Sequence, residues 1–102
     1  MEKTPIEHYV EIFKALANPT RLKILALCSE KPRTSKELRQ ILKISKPLLI
    51  AHLKILTKTG LLQYDIEIDP GKGILKKKYK TTNINICINQ NLLKTIIKQN
   101  KQ

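Results

Sequence analysis

The sequence predicts a mainly α-helical fold with a small β-hairpin, in the order α-α-α-α-β-β-α. Three observations lead to this prediction. Up to Gly60, apolar residues recur every three to four positions between proline, glycine and capping residues, which indicates four short helices. From Leu62 the apolar residues alternate with polar ones on either side of a glycine-containing turn, which is typical of a hairpin. Helical spacing then returns near the end of the chain.

The first predicted helix covers residues 4–17. Thr4 is its expected N-cap, and Pro5 stands at the first helical position, where a missing N–H costs nothing. Asn18-Pro19 ends the helix, because the residue before a proline avoids the helical region. Its wide apolar face consists of Ile6, Tyr9, Val10, Phe13, Leu16 and Ala17.

The second predicted helix begins at Thr20, which we expect to cap it. It has little polar surface, which places it at the centre of the core. Its apolar residues are Leu22, Ile24, Leu25, Leu27 and Cys28. Lys31-Pro32-Arg33 is predicted to be an extended connector.

Residues 34–60 predict two helices joined by a tight turn. Thr34 or Ser35 can cap the first of them, and Glu37 is placed to complete a capping box. This helix has one apolar face, and Lys43-Ile44 forms the turn that follows it. The apolar face consists of Leu38, Ile41 and Leu42.

Ser45 is predicted to cap the second helix of this pair, and Pro47 lies in its first turn. Gly60 supplies the positive φ that ends the helix. The inward stripe consists of Leu49, Leu53 and Leu56. Two short helices, a tight turn and a capped second helix together indicate a helix-turn-helix.

The hairpin that follows would be the wing of a winged helix-turn-helix. Its first strand is predicted to be half-buried, because Leu62, Tyr64, Ile66 and Ile68 alternate with Gln63, Asp65, Glu67 and Asp69. Asp69 to Gly73 form the turn, and residues 74–82 form the second strand. Residues 1–82 would therefore be one winged helix-turn-helix domain, followed by a C-terminal extension at residues 83–102.

The charge of the chain is segregated. The net charge is +12, and residues 31–60 carry eight Lys and Arg residues against one acid, Glu37. A basic surface concentrated on a helix-turn-helix is the pattern of a nucleic-acid-binding protein, so we expect double-stranded DNA as a partner. The N-terminus is not a signal peptide and no apolar run reaches spanning length, so we expect a cytoplasmic protein without a membrane partner.

Roughly residues 10–82 resemble the ArsR-type winged-helix repressors of bacteria and archaea. The resemblance is carried by Ala17-Asn18-Pro19-Thr20-Arg21-Leu22, by His52-Leu53-Lys54-Ile55-Leu56 and by Gly60-Leu61. It implies a homodimeric, DNA-binding transcriptional regulator, often one that releases DNA when an effector binds. We expect a repressor.

The helix beginning at Ser45 is expected to lie in the major groove, with phosphate contacts beside it. Lys72, between two glycines, is placed to reach a minor groove. His52 is expected to contact a phosphate or a polar neighbour. The predicted DNA-binding residues are Lys36, Arg39, Lys43, Ser45, Lys46, Leu48, Ile50, Ala51, His52, Lys54, Lys72 and Lys77.

Two features qualify this interface. Lys76, Lys78 and Lys80 share a strand face with three acids of the other strand, so part of the wing charge would be neutralised.

Relatives usually carry polar base-reading side chains at positions where this chain has Leu48, Ile50 and Ala51. Exposed apolar groups there predict a sequence-tolerant or A·T-preferring protein. The alternative is a protein-interaction module on a winged-helix scaffold.

The last predicted helix, capped by Asn89 or Asn91, is expected to dimerise together with the first. The residues predicted for this role are Tyr9, Phe13, Leu92, Leu93, Ile96 and Ile97. The alternative is that the last helix folds back on its own domain.

We expect no metal, no cofactor and no enzymatic activity. The resemblance invites metal sensing, but Thr34 to Gln40 hold no Cys or His, and the last helix holds no His, Asp or Glu. The sequence also contains no recognisable catalytic triad or phosphate-binding glycine loop. We interpret Cys28 as a small buried hydrophobic residue. The alternative is a thiol-redox-responsive repressor that uses Cys28 and Cys87.

Overall fold

The computed structural model describes residues 4–100 and contains five helices and three strands in that part of the chain. The elements are α1 Pro5–Leu16, α2 Pro19–Glu30, β1 Arg33–Thr34, α3 Ser35–Leu42, α4 Lys46–Lys58, β2 Leu62–Ile68, β3 Leu75–Thr81 and α5 Gln90–Asn100. The predicted fold class, mainly helical with a small hairpin, is confirmed. None of the described helices is long and apolar enough to cross a membrane.

The strand β1 was not predicted. It pairs antiparallel with β3, with Arg33 opposite Tyr79 and Thr34 opposite Lys78, and the sheet order is β1-β3-β2. A two-residue strand has no periodicity of its own, so it becomes visible only when β3 lies beside it. It joins the base of the wing to the start of α3.

One cap differs from its prediction. Asn18 rather than Thr20 caps α2, and its side-chain oxygen accepts a hydrogen bond from the Arg21 N–H at 3.1 Å. Pro19 then occupies the first helical position, where its missing N–H is tolerated. Both Asn18 and Thr20 are good capping residues, and the proline between them decides in favour of Asn18.

The core lies where α2, α3, α4 and the base of the wing meet. Ile24, Leu38, Leu49 and Leu56 have no exposed surface. The remaining buried apolar residues are Ile12, Ala15, Leu25, Cys28, Leu53, Leu61, Leu62 and Tyr79. The predicted inward stripe of α4 is therefore confirmed.

The buried stripe of α1 is narrower than predicted and is formed by other residues. Ile12 and Ala15 are buried, whereas Ile6 and Val10 are 37% and 42% exposed. The apolar residues of this helix surround most of its circumference, so periodicity alone could not show which side meets α2. The side that carries Ile6 and Val10 remains open.

The helix-turn-helix forms as its capping residues predict. Thr34 caps α3 by accepting a hydrogen bond from the Glu37 N–H at 3.2 Å. The Glu37 carboxylate accepts from the Thr34 hydroxyl rather than from its backbone N–H, so the predicted capping box is only half formed. Lys43 ends α3 in the left-handed region, at φ 55°. Ser45 then caps α4, with Pro47 in its first turn, and Gly60 follows the helix at φ 79°.

The wing is less buried than predicted. Leu62 is buried at its base, but Tyr64, Ile66 and Ile68 are 42%, 57% and 68% exposed. The other described elements pack only against the base of the hairpin. Beyond the base, the alternating apolar residues of the first strand therefore form a face that is open rather than half-buried.

The C-terminal extension contacts the domain through two segments. Ile86 packs against the core, and α5 lies against α1 of the same chain. Within α5, Leu92 and Ile96 are half-buried, whereas Leu93 and Ile97 are 54% and 58% exposed. The helix therefore does fold back on its own domain, and it still presents an uncovered apolar edge.

Candidate nucleic-acid interface

The outer face of α4 is open along its length. Leu48 and Ile50 are 46% and 38% exposed, and Ala51 is exposed as well. Lys46 and Lys54 are exposed on the same helix, as is Ser45 at its start. The prediction that Leu48, Ile50 and Ala51 are exposed is confirmed.

His52 lies on the inner side of α4 and not on its outer face. It is 8% exposed, and its Nδ1 is 3.3 Å from Nη1 of Arg21. Burial, together with the charge of Arg21, lowers the pKa of the imidazole below its ordinary value. Of the two contacts expected for His52, the structure shows the polar neighbour. Its assignment to DNA is therefore corrected, because the ring is directed into the protein.

Arg21 was missing from the predicted site. Its Nε donates to the Ala15 carbonyl at 2.7 Å and its Nη2 donates to the Lys14 carbonyl at 3.2 Å. The same guanidinium thus binds the C-terminal end of α1 and the middle of α4. The sequence held one usable signal, an arginine placed just after the end of a helix whose last carbonyls lack partners.

The three basic residues predicted on and just after α3 differ in their environment. Lys36 and Lys43 are exposed, whereas Arg39 is half-buried. The Nε of Arg39 is buried and has no hydrogen-bond partner in the described part of the chain. Lys36 and Lys43 are therefore the better placed of the three to reach an external phosphate.

Part of the wing charge is neutralised, as predicted. Lys78 pairs with Glu67 at 3.4 Å, and Lys80 pairs with Asp65 at 2.9 Å. Each ion pair is diagonal, because Lys78 lies directly opposite Asp65 in the strand register. These lysines have less of their charge available for an external anion.

Lys72 and Lys77 remain exposed on the wing. Lys72 lies in the turn between the strands, where its N–H donates to the Asp69 carbonyl at 3.3 Å. Lys77 holds its ammonium 4.5 Å from the centre of the Tyr64 ring. The wing therefore offers an exposed cation at its turn, Lys72, and two on its second strand, Lys76 and Lys77.

A cleft of about 820 Å³ separates α4 from the wing and from the start of α3. Five residues of the predicted interface line it, namely Lys36, Lys46, Ile50, Lys54 and Lys77. The other predicted DNA-binding residues lie outside it. Tyr64, Leu75 and Tyr79 of the wing complete its walls, and none of these three was predicted to belong to a site.

Metal-ligating groups do not cluster within residues 4–100, where no three His, Cys, Asp or Glu side chains lie together in a way that could hold an ion. Cys28 and Cys87 are free thiols, the first buried and the second exposed. Burial raises the pKa of the Cys28 thiol to about 11.

Comparison with known proteins agrees with this geometry. Residues 18–64, from the cap of α2 into the first strand of the wing, match the family described as bacterial regulatory proteins of the arsR family. Over 87 residues the chain is 30% identical to an uncharacterized HTH-type transcriptional regulator of Methanocaldococcus jannaschii, a match that covers 85% of this chain and 90% of that protein. The chain belongs to the arsR family. It is thus a transcriptional regulator with the DNA-binding winged-helix fold of that family.

Solved structures show the same arrangement. HlyU from Vibrio cholerae is 26% identical, with a TM-score of 0.65 over 95% of this chain and 91% of that chain. A possible arsR-family regulator of Mycobacterium bovis, described as a homodimeric winged helix-turn-helix DNA-binding domain, is 20% identical, with the same TM-score over 90% of this chain and 74% of that chain. At 20% identity, the likeness to the Mycobacterium bovis protein shows a shared fold only.

Proposed function

We propose that this arsR-family protein represses transcription by binding double-stranded DNA as a homodimer. The outward face of α4 is the observation that carries the proposal. It presents Lys46 and Lys54 together with the uncovered side chains of Leu48 and Ile50, on a helix whose other side is anchored in the core. Such a helix fits the major groove, and the basic residues beside it suit the flanking phosphates.

The proposed mode of reading rests on phosphates and on DNA shape. Leu48, Ile50 and Ala51 have no hydrogen-bonding groups in their side chains, so they offer thymine methyls apolar contact but no bidentate pairs with base edges. Each such pair would contribute roughly 1–3 kcal/mol of discrimination. We therefore propose a sequence-tolerant protein with a preference for A·T-rich sites.

The proposed dimer uses α1 and α5. Leu93 and Ile97 of α5, with Ile6 and Val10 of α1, leave apolar surface open on the two helices that pack against each other. A second copy would cover it and would present two α4 helices to two half-sites. The Mycobacterium bovis relative, which is described as homodimeric, supports this assembly. A dimer bound across a promoter would obstruct polymerase, which makes repression the output that we propose.

The function is tested by fluorescence anisotropy with a labelled A·T-rich duplex over a series of salt concentrations. Log affinity should fall linearly with log salt, with a slope of about −0.9 per phosphate contact. Lys36→Ala and Lys43→Ala should each reduce the magnitude of that slope by about 0.9. Lys78→Ala, whose ammonium is paired with Glu67, is the matched control and should change the slope less. Binding that does not respond to salt would refute the proposal.

A further inference from the structure

The cleft between α4 and the wing has an apolar floor that phosphate binding does not require. Leu53 and Tyr79 are 4% and 9% exposed at its base, and Ile50, Tyr64 and Leu75 rise on opposite sides. The ring centroids of Tyr64 and Tyr79 lie 5.6 Å apart, so the two rings pack together, and Tyr64 is the more exposed of the two at 42%. A volume of about 820 Å³ falls within the range of small-molecule sites.

Positive charge lines the cleft on both the helix side and the wing side. Lysines come from all three elements that form the cleft, namely Lys36, Lys46, Lys54, Lys76 and Lys77. Lys36, Lys46, Lys54 and Lys76 form no ion pair within residues 4–100. The one acid in the lining, Glu37, already accepts a hydrogen bond from the Thr34 hydroxyl at 3.2 Å. The charge therefore complements an anion.

An apolar floor bordered by lysines matches one class of ligand. A simple phosphate would use the lysines and leave the aromatic surface bare, and a neutral apolar molecule would leave the charge unused. We propose that the cleft binds an anionic amphiphile, with an aliphatic or aromatic body on Tyr64 and Tyr79 and a carboxylate or sulfonate head among the lysines.

This ligand would regulate DNA binding, an inference that rests on the proposed function. Lys46, Ile50 and Lys54 belong both to the cleft and to the outward face of α4. A molecule seated there occupies side chains that DNA also needs, so ligand and DNA exclude each other. By linkage, each then weakens the other by the same factor.

The site itself is tested without DNA. The fluorescent probe 1-anilinonaphthalene-8-sulfonate is titrated into the full chain and then displaced with decanoate. The double variant Ile50→Gln/Leu75→Gln places polar amide side chains on both walls of the cleft at exposed positions. It should raise the Kd of the probe about tenfold or more. Leu22→Gln/Ile41→Gln is the matched control, since these side chains are 50% and 48% exposed outside the cleft, and it should bind as the unchanged protein does. If both double variants lost the same amount of affinity for the probe, the proposal would be overturned.

The charge of the ligand is tested with N-phenyl-1-naphthylamine, which has the aromatic body of the probe without the sulfonate. It should bind about tenfold more weakly than the sulfonate, and Lys46→Gln/Lys77→Gln should remove most of that difference. Equal affinity for the two probes would overturn the assignment to an anion. The mass of Ile50→Gln/Leu75→Gln should equal that of the unchanged protein by sedimentation; a loss of mass would mean that a second copy covers the cleft, which also overturns the proposal.

Competition separates this inference from the proposed function. Decanoate should release a labelled A·T-rich duplex from the unchanged protein, whereas Leu75→Gln, which changes the cleft at a wing residue not assigned to DNA, should bind the duplex and retain more of it at the same decanoate concentration. If the duplex binds and decanoate does not release it, the regulatory inference is wrong while the DNA function stands. If the probe binds in the cleft but no duplex binds, the function fails and the ligand site stands alone.

Discussion

At the scale of single residues, Arg21 joins the end of α1 to α4. Its guanidinium binds two carbonyls of α1 and the ring of His52. Arg21→Ala would leave the His52 ring and both carbonyls without this donor, and we expect it to lower the free energy of unfolding by about 2 kcal/mol. The arrangement also makes stability depend on pH, because protonation of His52 would bury a positive charge and place it beside Arg21.

The pH dependence has a definite sign. The pKa of His52 is lowered in the folded protein from its ordinary value of 6.5, so below pH 6.5 the unfolded chain binds the proton more readily. The free energy of unfolding should therefore fall as the pH drops below 6.5 and level off below the folded pKa. Urea titrations between pH 7 and pH 5 measure it. His52→Gln should remove this part of the dependence and His8→Gln, on the exposed side of α1, should not. Identical curves for His52→Gln and the unchanged protein would contradict the role of His52.

The two thiols should differ sharply in reactivity. With a pKa of about 11, only about one Cys28 thiol in a thousand is a thiolate at pH 8, and the group is also buried. We expect 5,5′-dithiobis(2-nitrobenzoate) to label exposed Cys87 quickly and Cys28 only when the protein unfolds. Cys87→Ser should abolish the fast phase, and Cys28→Ser should preserve it. A disulfide between Cys28 and Cys87 formed under mild oxidation would instead support a redox-responsive repressor.

At the scale of the elements, α4 serves two purposes on opposite sides. Leu49 is fully buried, whereas its neighbours Leu48 and Ile50 are 46% and 38% exposed. Leu49→Ala should cost about 2–5 kcal/mol of stability through the cavity that it leaves. Leu48→Ser/Ile50→Ser should change stability by no more than about 0.5 kcal/mol for each position.

The same double variant tests how α4 reads DNA. Leu48→Ser/Ile50→Ser should reduce the preference for A·T-rich over G·C-rich duplexes while leaving the salt slope unchanged, because no charge is removed. Competition binding with the two duplexes measures this. Intact affinity and intact preference, together with loss of a protein partner, would indicate that the apolar residues of α4 serve a protein-interaction module.

Only part of the positive charge on the wing is available to an external partner. Lys78 and Lys80 are paired with acids across the hairpin, while Lys72 and Lys77 remain exposed on it. The diagonal ion pairs are compatible with the register of the strands, and exposed pairs of this kind contribute little stability on their own. The wing therefore combines a neutralised face with a basic and apolar one that lines the cleft.

At the scale of the whole molecule, the chain is extended. Its radius of gyration is 16.2 Å, whereas a compact chain of about 100 residues has roughly 13 Å. Apolar side chains remain exposed on all three of α1, α5 and the wing, among them Val10, Leu93 and Ile66, and such side chains suit contact with a partner. For α1 and α5 we propose that the partner is a second copy of this chain.

The dimer is tested with charges placed at exposed positions of α5. Leu93→Glu/Ile97→Glu should yield a monomer by sedimentation velocity without loss of helix content, because both side chains are more than half exposed. Affinity for a duplex with two half-sites should fall by about 10²–10⁴ when the sites are no longer linked. Leu22→Glu, which is 50% exposed on α2, should remain dimeric. A dimer in the α5 variant would refute this interface.

Local signals in the sequence were enough to predict most of the elements. Caps at Thr4, Thr34 and Ser45 and the positive φ at Gly60 act within one turn of the chain, so they can be read without knowing the fold. The inward stripe of α4 and the neutralised lysines of the wing were predicted in the same way. Each depends only on residues a few positions apart or on one hairpin.

Tertiary structure decided which of the apolar and basic groups are available. Ile12 rather than Val10 faces the core, His52 turns inward to Arg21, and Tyr64 lines a cleft that α4 closes from across the fold. Each outcome depends on an element distant in the sequence, and periodicity carries no information about which neighbour will cover a given face. The sequence by itself therefore determined the helices, the hairpin and the negative charge expected of the partner. Packing between distant segments determined which surface such a partner would contact.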